Sequence, residues 1–196
     1  MESSQTKHKH FIIHKPYGYL SQFHTNSKHE RKKRLLSELF DFPNHVMTIG
    51  RLDEHSEGLL LATTDGKLSD FVNSKKVDKE YYAQVDGDIT QEAIETLQLG
   101  VEIGFKGQKY ITKPCRVFKL ETNPEFPPRS KKIRDDRHGP TSWISITLNE
   151  GKYRQVRKMT SAVGFPTLRL VRIRVGSICL SNLSAGDVIE VNNLKV

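Results

Sequence analysis

The segment 50–58, with the sequence GRLDEHSEG, holds the densest set of reactive side chains in the chain. Three carboxylates, an arginine, a histidine and a serine fall within seven residues. Apolar runs on both sides predict a loop between two strands, and catalytic groups concentrate in such loops. A carboxylate beside basic residues stays ionised near neutral pH, where it can act as a nucleophile, a base or a metal ligand.

The same residues allow three other interpretations of this loop. A metal site is the weaker option, because no second acidic cluster stands at a useful spacing. Ser56 and His55 are neighbours, but the GxSxG turn of many hydrolases is missing. A solvated polar loop without chemistry stays open on composition alone.

A second segment, 150–159 with the sequence EGKYRQVRKM, combines a glycine turn with a helix predicted over 153–163. Arg154, Arg157 and Lys158 stand at positions i, i+3 and i+4, so they are expected to share one face of that helix. This face is either a solvated charged surface or a phosphate contact that includes an arginine paired with a catalytic carboxylate.

The third segment is 79–82, with the sequence KEYY, in a predicted strand. Adjacent residues on a strand point to opposite faces, so one tyrosine is expected in the core. The other can offer its ring to a nucleic-acid base, a contact that is worth about 1–3 kcal/mol in single-strand binding.

The remaining patterns predict the elements that position these groups. Residues 1–10 are polar and unpatterned, which predicts a flexible tail. Helices are predicted over 35–40 (ended by Pro43), 68–72 and 90–98. Strands are predicted over 11–13, 46–49, 59–63, 81–85, 143–148, 171–175 and 188–191, with two further strands within 101–120. A bulge is expected near Leu170, and a long loop over 121–141. The irregular order of strands and helices predicts one α+β domain with a mixed sheet.

Charge and composition narrow the class of protein. The 196 residues include 31 lysines and arginines against 23 acids, a formal net charge of +8, with a pI near 9.4. This balance favours an anionic partner such as nucleic acid, although a merely basic soluble protein stays open. The longest strongly apolar run, residues 59–62, is too short for a membrane span, and the N-terminus has no signal-peptide pattern. Cys115 and Cys179 lack metal-site spacing and predict reduced, buried thiols in a cytoplasmic protein.

Four segments, in order along the chain, resemble the motifs of the RsuA-type pseudouridine synthases, the branch that includes RluB, RluE and RluF. Residues 50–66 (GRLDEHSEGLLLATTDG) are similar to the catalytic signature of that family. The segments HKPYGYLSQF (14–23), KEYYAQVDG (79–87) and EGKYRQVRKMTSAVGFPTLRLVRIRVG (150–176) are similar to its opening motif, its K-x-Y strand and its C-terminal motif. Phe165 departs from the histidine that many relatives carry there.

The resemblance implies roles for individual residues. Asp53 matches the catalytic aspartate, Tyr81 the tyrosine that stacks on the target uracil, and Arg157 the basic residue that pairs with the aspartate. Leu168 matches an apolar residue beside the uracil. Five basic residues are expected to contact RNA, namely Lys15, Arg51, Arg154, Lys158 and Arg172.

The resemblance also implies a fold and a domain plan. The expected fold is α+β, with a central mixed, largely antiparallel sheet flanked by helices and loops. Residues 11–196 would form the catalytic domain, with two subdomains around a central cleft. Only thirteen residues precede the opening motif, so the S4 RNA-binding domain of many members is not expected. In this respect the chain is similar to the RluE subgroup.

The implied reaction breaks the bond between the uridine base and C1′, rotates the base and rejoins it through C5. Asp53 could attack C1′, add to C6 of the uracil or deprotonate the sugar. No cofactor or metal is expected, because the isomerisation gains and loses no atoms or electrons. The expected substrate is 23S rRNA, naked or in an assembling ribosomal particle, and the expected state is a monomer in the cytoplasm. The alternatives are the same reaction on 16S rRNA or tRNA, or a non-catalytic RNA-binding assembly factor.

Overall fold

The computed structural model describes residues 8–74 and 77–196, and most of its strands join one nine-stranded sheet. The strands of that sheet are β1 (His10–Lys15), β4 (Met47–Ile49), β5 (Glu57–Thr63), β6 (Lys79–Asp86), β9 (Arg116–Lys119), β10 (Thr141–Leu148), β11 (Thr167–Val175), β12 (Ile178–Cys179) and β13 (Val188–Val191). Two small sheets pair β2 (Tyr19–Leu20) with β3 (Arg34–Leu35), and β7 (Glu102–Phe105) with β8 (Gln108–Ile111). The helices are α1 (Gly66–Ser74), α2 (Gln91–Leu99) and α3 (Gln155–Ala162), and short 3-10 turns cover Leu36–Glu38 and Asp136–His138.

The large sheet is mixed and largely antiparallel. Its strands run in the order β13-β1-β5-β11-β6-β10-β9, with β4 added to β5 and β12 added to β11. Among the described residues, β5 and β11 form the one parallel pair of this sheet. The predicted α+β class is therefore confirmed.

The core lies on both faces of the sheet, and β5 is buried along its whole length. Leu59 and Leu61 of β5 pack with Val72 of α1, whereas Leu60 faces Phe11 and Ile13 of β1. The other half of the sheet packs on α2 and α3 through a separate group, which includes Ala83, Leu97, Ile144 and Met159. Strands β11 and β6 join the two halves. The division into two subdomains around a central cleft stays a prediction.

At Gly58 of β5 the backbone leaves no space for a side chain. Its φ is +104°, and a Cβ atom would lie 2.3 Å from the carbonyl oxygen of Arg172 on β11. Glycine adopts such a φ without the steric cost that other residues meet. Gly58 therefore permits the close parallel pairing of β5 and β11. This pairing lies next to residues 50–56, the loop that carries Asp53, which we call the reactive loop.

Several sequence predictions are corrected by the structure. The predicted helix over 35–40 is wrong, because Leu35 belongs to β3 and only a 3-10 turn follows it. The region 101–120 holds three strands rather than two. The predicted tail ends before His10, which is a buried residue of β1, and residues 1–7 lie outside the described part.

The bulge predicted near Leu170 lies close by, since the register of β11 shifts between Thr167 and Arg169 and again between Arg172 and Arg174. The thiols are free, as predicted, but the prediction that they are buried is wrong, because Cys179 is exposed and Cys115 is half-buried.

Candidate active site

Asp53 lies in the loop between β4 and β5, and three side chains converge on its carboxylate. Arg154 Nη1 donates to Asp53 Oδ2 at 3.2 Å, and Ser56 Oγ donates to the same oxygen at 3.4 Å. The Nε atom of Arg157 lies 3.7 Å from it. About a fifth of the Asp53 side chain is exposed, so it can still be reached from solvent. Two guanidinium groups therefore place positive charge beside this one carboxylate.

Arg157 ties the reactive loop to α3. Its Nη2 donates to the carbonyl oxygen of His55 at 2.7 Å, and its Nη1 donates to that of Thr167 at 3.2 Å. Burial lowers the pKa of this guanidinium, and the nearby Arg154 lowers it further. Its Nε is buried and has no hydrogen-bond partner within the described ranges. The structure brings Arg157 and Asp53 together, as the resemblance implied. The catalytic role of this pair stays a prediction.

Arg154 stands in a conformation that few non-glycine residues adopt. It precedes α3 with φ 53° and ψ 35°, in the left-handed region. This conformation turns the chain into the helix and directs the side chain toward Asp53. The sequence predicted Arg154 as an RNA contact on the α3 face, and the structure places it on the reactive carboxylate.

The turn before α3 is locked by Glu150 and Gln155, which the sequence analysis did not single out. Glu150 accepts hydrogen bonds from Tyr110 Oη at 2.6 Å, from the Lys113 amide at 3.0 Å and from Gln155 Nε2 at 2.5 Å. The Oε1 of Gln155 accepts from the Lys152 amide at 2.9 Å. The sequence carries no signal for this role, because the burial of Gln155 and the contacts of Glu150 with the distant Tyr110 and Lys113 appear only in the folded chain.

A cavity opens beside Asp53, and we call it the Asp53 cavity. It encloses about 400 Å³, including solvent at its mouth, and its walls include Asp53, Tyr81, Leu148, Arg154, Val156 and Leu170. The walls combine polar and apolar side chains, as a planar base with polar edges requires. Leu170 lines this cavity, whereas the resemblance pointed to Leu168 two residues earlier.

Tyr81 and Tyr82 lie on opposite faces of β6, as their adjacency predicted. Tyr81 is half-buried and lines the Asp53 cavity. Tyr82 is also half-buried and packs edge-on against Phe126, with the ring centroids 6.3 Å apart. Tyr81 is therefore the one of the two that can meet a base beside Asp53.

The opening segment, residues 14–23, is hydrogen-bonded to the backbone of the reactive loop on both sides of Asp53. Ser21 Oγ donates to the Leu52 carbonyl at 2.7 Å and accepts from the Leu52 amide at 2.9 Å. The Gly18 amide donates to the Glu54 carbonyl at 2.8 Å. These bonds flank Asp53 on both sides in sequence, so they fix the backbone that carries it.

Lys15 of the opening segment is fully buried and adds a hydrogen bond to the reactive loop. Its Nζ donates to the carbonyls of Pro16 at 2.9 Å, Tyr19 at 2.7 Å and Glu54 at 3.5 Å. Burial lowers the pKa of this amine to about 7, against the opposing influence of nearby carboxylates, of which Glu57 is the strongest.

Two of the predicted RNA contacts are not available in the structure. Lys15 is buried as described, and Arg172 is only 2% exposed and donates through Nε to the Leu59 carbonyl at 2.7 Å. Both cations serve internal carbonyl groups, so their charge cannot meet an RNA phosphate. The expectation that Arg172 contacts RNA is therefore wrong, because β11 is buried at this residue.

The other predicted contacts lie nearer the surface. Arg51 is exposed and donates through Nη2 to Gln22 Oε1 at 3.2 Å. Lys158 is half-buried and donates to the Gly104 carbonyl at 2.6 Å. Arg51 lines the Asp53 cavity, and Lys158 does not.

No group of three or more histidine, cysteine, aspartate or glutamate side chains within the described residues is arranged to hold a metal ion. In the same part of the chain, no helix has the length and apolar character needed to span a membrane.

A half-buried aspartate flanked by two arginines lies beside a cavity with mixed polar and apolar walls and one tyrosine. Such a site suits a flat ring with polar edges. Residues 9–162 match the family model described as RNA pseudouridylate synthase. The chain belongs to this family and is an enzyme of the isomerase class.

Similar proteins agree with this assignment, and a solved structure shares the fold. The chain is 41% identical over 178 residues to the ribosomal large subunit pseudouridine synthase E of Xanthomonas campestris pv. campestris, covering 90% of this chain and 91% of the relative. It is 38% identical over 191 residues to the protein of that name from Vibrio vulnificus, covering 96% and 77%. A crystal structure of a pseudouridylate synthase superposes with a TM-score of 0.72 at 24% identity, covering 94% of this chain and 70% of that one, which supports the fold.

Proposed function

We propose that this enzyme converts one uridine of 23S rRNA into pseudouridine, with Asp53 as the catalytic aspartate. The observation that carries the proposal is the convergence of Arg154, Arg157 and Ser56 on Asp53 at the edge of a cavity walled by Tyr81. The names of the similar proteins, ribosomal large subunit pseudouridine synthase E, support the large-subunit substrate.

The reaction must break the bond between N1 and C1′, turn the base and form a bond from C5 to C1′. The proton on C5 leaves and N1 gains one, so the product has the atoms of the substrate. Asp53 lies where an extruded uridine would meet it, and its carboxylate can act on the sugar or the ring. Arg154 and Arg157 hold the carboxylate in place and bring positive charge to it.

Tyr81 and the apolar wall receive the uracil. A base that leaves its stack loses a few kcal/mol of stacking and pairing, least in a loop or a single strand. Contact with the Tyr81 ring offsets part of this loss. The apolar side chains of Leu148 and Leu170 exclude water from one side of the cavity.

RNA binding is expected to use the basic groups around the mouth of the site. Arg51 lies there, with the stretch 31–34 and the basic loop 129–137 as further candidates. The substrate can be free rRNA or an assembling particle, and we infer that the enzyme acts as a monomer in the cytoplasm.

The test maps pseudouridine in rRNA by carbodiimide modification and primer extension. Cells without the protein are compared with cells that express the wild type or Asp53→Asn, which keeps the shape and removes the charge. We expect one 23S rRNA position to be lost in the deletion and restored by the wild type alone. Restoration by Asp53→Asn would contradict the role of Asp53.

Other outcomes distinguish the alternatives. If the deletion removes a pseudouridine from 16S rRNA or tRNA instead, the substrate differs from the one proposed and the reaction is the same. Unchanged modification throughout, combined with RNA binding by the purified protein, would replace the proposal by an RNA-binding assembly factor.

A further inference from the structure

A second, larger cavity adjoins the Asp53 cavity, and we call it the outer cavity. It encloses about 1010 Å³, including solvent at its mouth, and is lined by Lys33, Arg51, Asp53, His55, Tyr153 and Arg154, among others. The two cavities share Arg51, Asp53 and Arg154 as common walls. A strand that places one nucleotide beside Asp53 can therefore reach the outer cavity with the neighbouring nucleotide.

Tyr153 is an aromatic side chain that faces solvent at this cavity. It is 69% exposed, and the described residues bring one cation to its ring, the Lys158 ammonium at 5.5 Å from the centroid. An exposed ring beside a basic cleft is the usual platform for an unpaired base. Neither the reaction nor the core uses Tyr153.

The cations of the outer cavity are held in place by neighbours and still carry free donors. Lys33 Nζ lies 2.5 Å from Glu54 Oε2, and Arg51 donates one bond to Gln22. A guanidinium has five N–H donors, so Arg51 keeps donors for a phosphate.

The carboxylates of the outer cavity are also engaged. Glu54 is paired with Lys33, and Glu30 accepts from Gln22 Nε2 at 2.7 Å and from Thr25 Oγ1 at 2.6 Å. Their partners reduce the repulsion that an incoming phosphate would otherwise meet.

We propose that the outer cavity binds the nucleotide next to the target uridine, with its base stacked on Tyr153 and its phosphate near Arg51. The inference rests on the proposed function in taking single-stranded RNA as the ligand. Tyr153 is then a binding residue that helps to hold the strand on one side of the extruded uridine.

The test uses RNA pentamers of sequence AAUAA, in which the adenosine on the 5′ or the 3′ side of the uridine is replaced by fluorescent 2-aminopurine. Stacking on an aromatic ring quenches this base. We expect the full chain to quench one of the two pentamers, Tyr153→Phe to do the same, and Tyr153→Ala to lose the quenching with about 10-fold weaker binding. Phe118→Ala, which removes an aromatic side chain that is 52% exposed on β9, is the matched control and should behave as the wild type.

Quenching by Tyr153→Ala equal to that of the wild type, or quenching of neither pentamer by the wild type, would overturn the inference. Thermal unfolding of the variants shows whether each is folded, and Tyr153→Ala should match the wild type because the ring is exposed. The pentamer assay does not depend on turnover. If rRNA mapping fails while quenching follows Tyr153, the proposed function fails and the nucleotide subsite stands.

Discussion

Arg154 and Arg157 both reach Asp53, but they differ in burial and in the other groups that they bind. Arg157 is 12% exposed in its side chain and also binds two backbone carbonyls, whereas Arg154 is 35% exposed and binds the carboxylate. A charge-assisted hydrogen bond contributes about 1.5–3 kcal/mol, and a buried cation with backbone partners also stabilises the fold.

Replacement should therefore separate the two arginines. Arg154→Ala is expected to lower kcat about 10-fold with little change in stability, since it removes one charge-assisted bond. Arg157→Ala is expected to lower kcat about 100-fold and the free energy of unfolding by about 2 kcal/mol, because two backbone carbonyls lose their donor and Asp53 loses a nearby cation. Single-turnover kinetics and urea unfolding measure both effects. Arg116→Ala, which removes a surface ion pair with Asp78, is the control. Equal losses in both site variants would contradict this division.

The sequence located some of these residues and misplaced others. Asp53, Tyr81 and Arg157 lie together as the motifs indicated, because each motif fixes a short segment at a strand end or a helix start. Lys15 and Arg172 were wrongly expected at the surface. Composition does not show that internal carbonyls take up a cation, since those carbonyls come from residues distant in the chain.

At the scale of elements, the position of the reactive loop depends on hydrogen bonds from the opening segment. Ser21 satisfies both the amide and the carbonyl of Leu52, the residue before Asp53, and it is buried. The sequence could assign the opening segment to a motif but not to this task, because the two segments are about 30 residues apart and meet only in the folded chain.

Ser21→Ala should weaken activity through the loop rather than through chemistry. The variant leaves two buried backbone groups without their partner, which costs about 1–3 kcal/mol of unfolding free energy. We expect kcat to fall about 10-fold. Urea unfolding and single-turnover rates are the measurements, and Ser27→Ala, at an exposed serine just after this segment, is the control. Unchanged stability would show that water replaces the hydroxyl.

The pairing of β5 with β11 gives a second prediction at this scale. Gly58→Ala places a Cβ atom 2.3 Å from the Arg172 carbonyl at a positive φ, so the parallel pair must separate. The expected loss is at least about 2 kcal/mol, since the left-handed conformation alone costs about 1–2 kcal/mol. Gly66→Ala, at the start of α1 with open space around it, should be neutral or stabilising. Thermal unfolding compares the two, and equal midpoints would contradict the close contact.

Elements of the fold were predictable where periodicity was carried by several apolar residues, as in β5, α2 and β10. The spacing of Leu35, Leu36, Leu39 and Phe40 also suits a helix, yet the chain forms a strand and one 3-10 turn there. Phe40 and Phe42 pack against Phe11 from β1, with centroids 5.8 and 5.2 Å away. This aromatic contact with a distant strand outweighs the local helical preference.

At the scale of the whole molecule, the net charge of +8 should make RNA binding depend on salt. Four phosphate contacts on a single strand give a slope of about −3 for log K against log salt. Replacing both Lys131 and Lys132 of the basic loop by glutamate should make the slope shallower by about 1.4, because each lost phosphate contact accounts for about 0.7. Lys9→Glu, at the opposite end of β1 from the site, should leave it unchanged. Filter binding at several salt concentrations measures the slopes, and a salt-independent affinity would contradict the phosphate contacts.

The buried amine of Lys15 links the stability of the whole fold to pH. Its pKa is lowered by burial to about 7 in the folded protein and returns to about 10.5 on unfolding. Between these values the unfolded chain binds a proton at Lys15 that the folded chain lacks, so this group makes the free energy of unfolding rise with pH. The slope is at most about 1.4 kcal/mol per pH unit.

Other groups titrate in the same range, so the difference between two proteins is the useful quantity. Cys115, whose pKa burial raises to about 11, acts in the opposite direction above pH 9 and cancels in a comparison with Lys15→Met. Urea unfolding at pH 7, 8 and 9 should show the wild type gaining stability relative to Lys15→Met at each step. A constant difference would mean that Lys15 stays charged in the folded state, where its three carbonyl partners would then hold a buried ammonium ion.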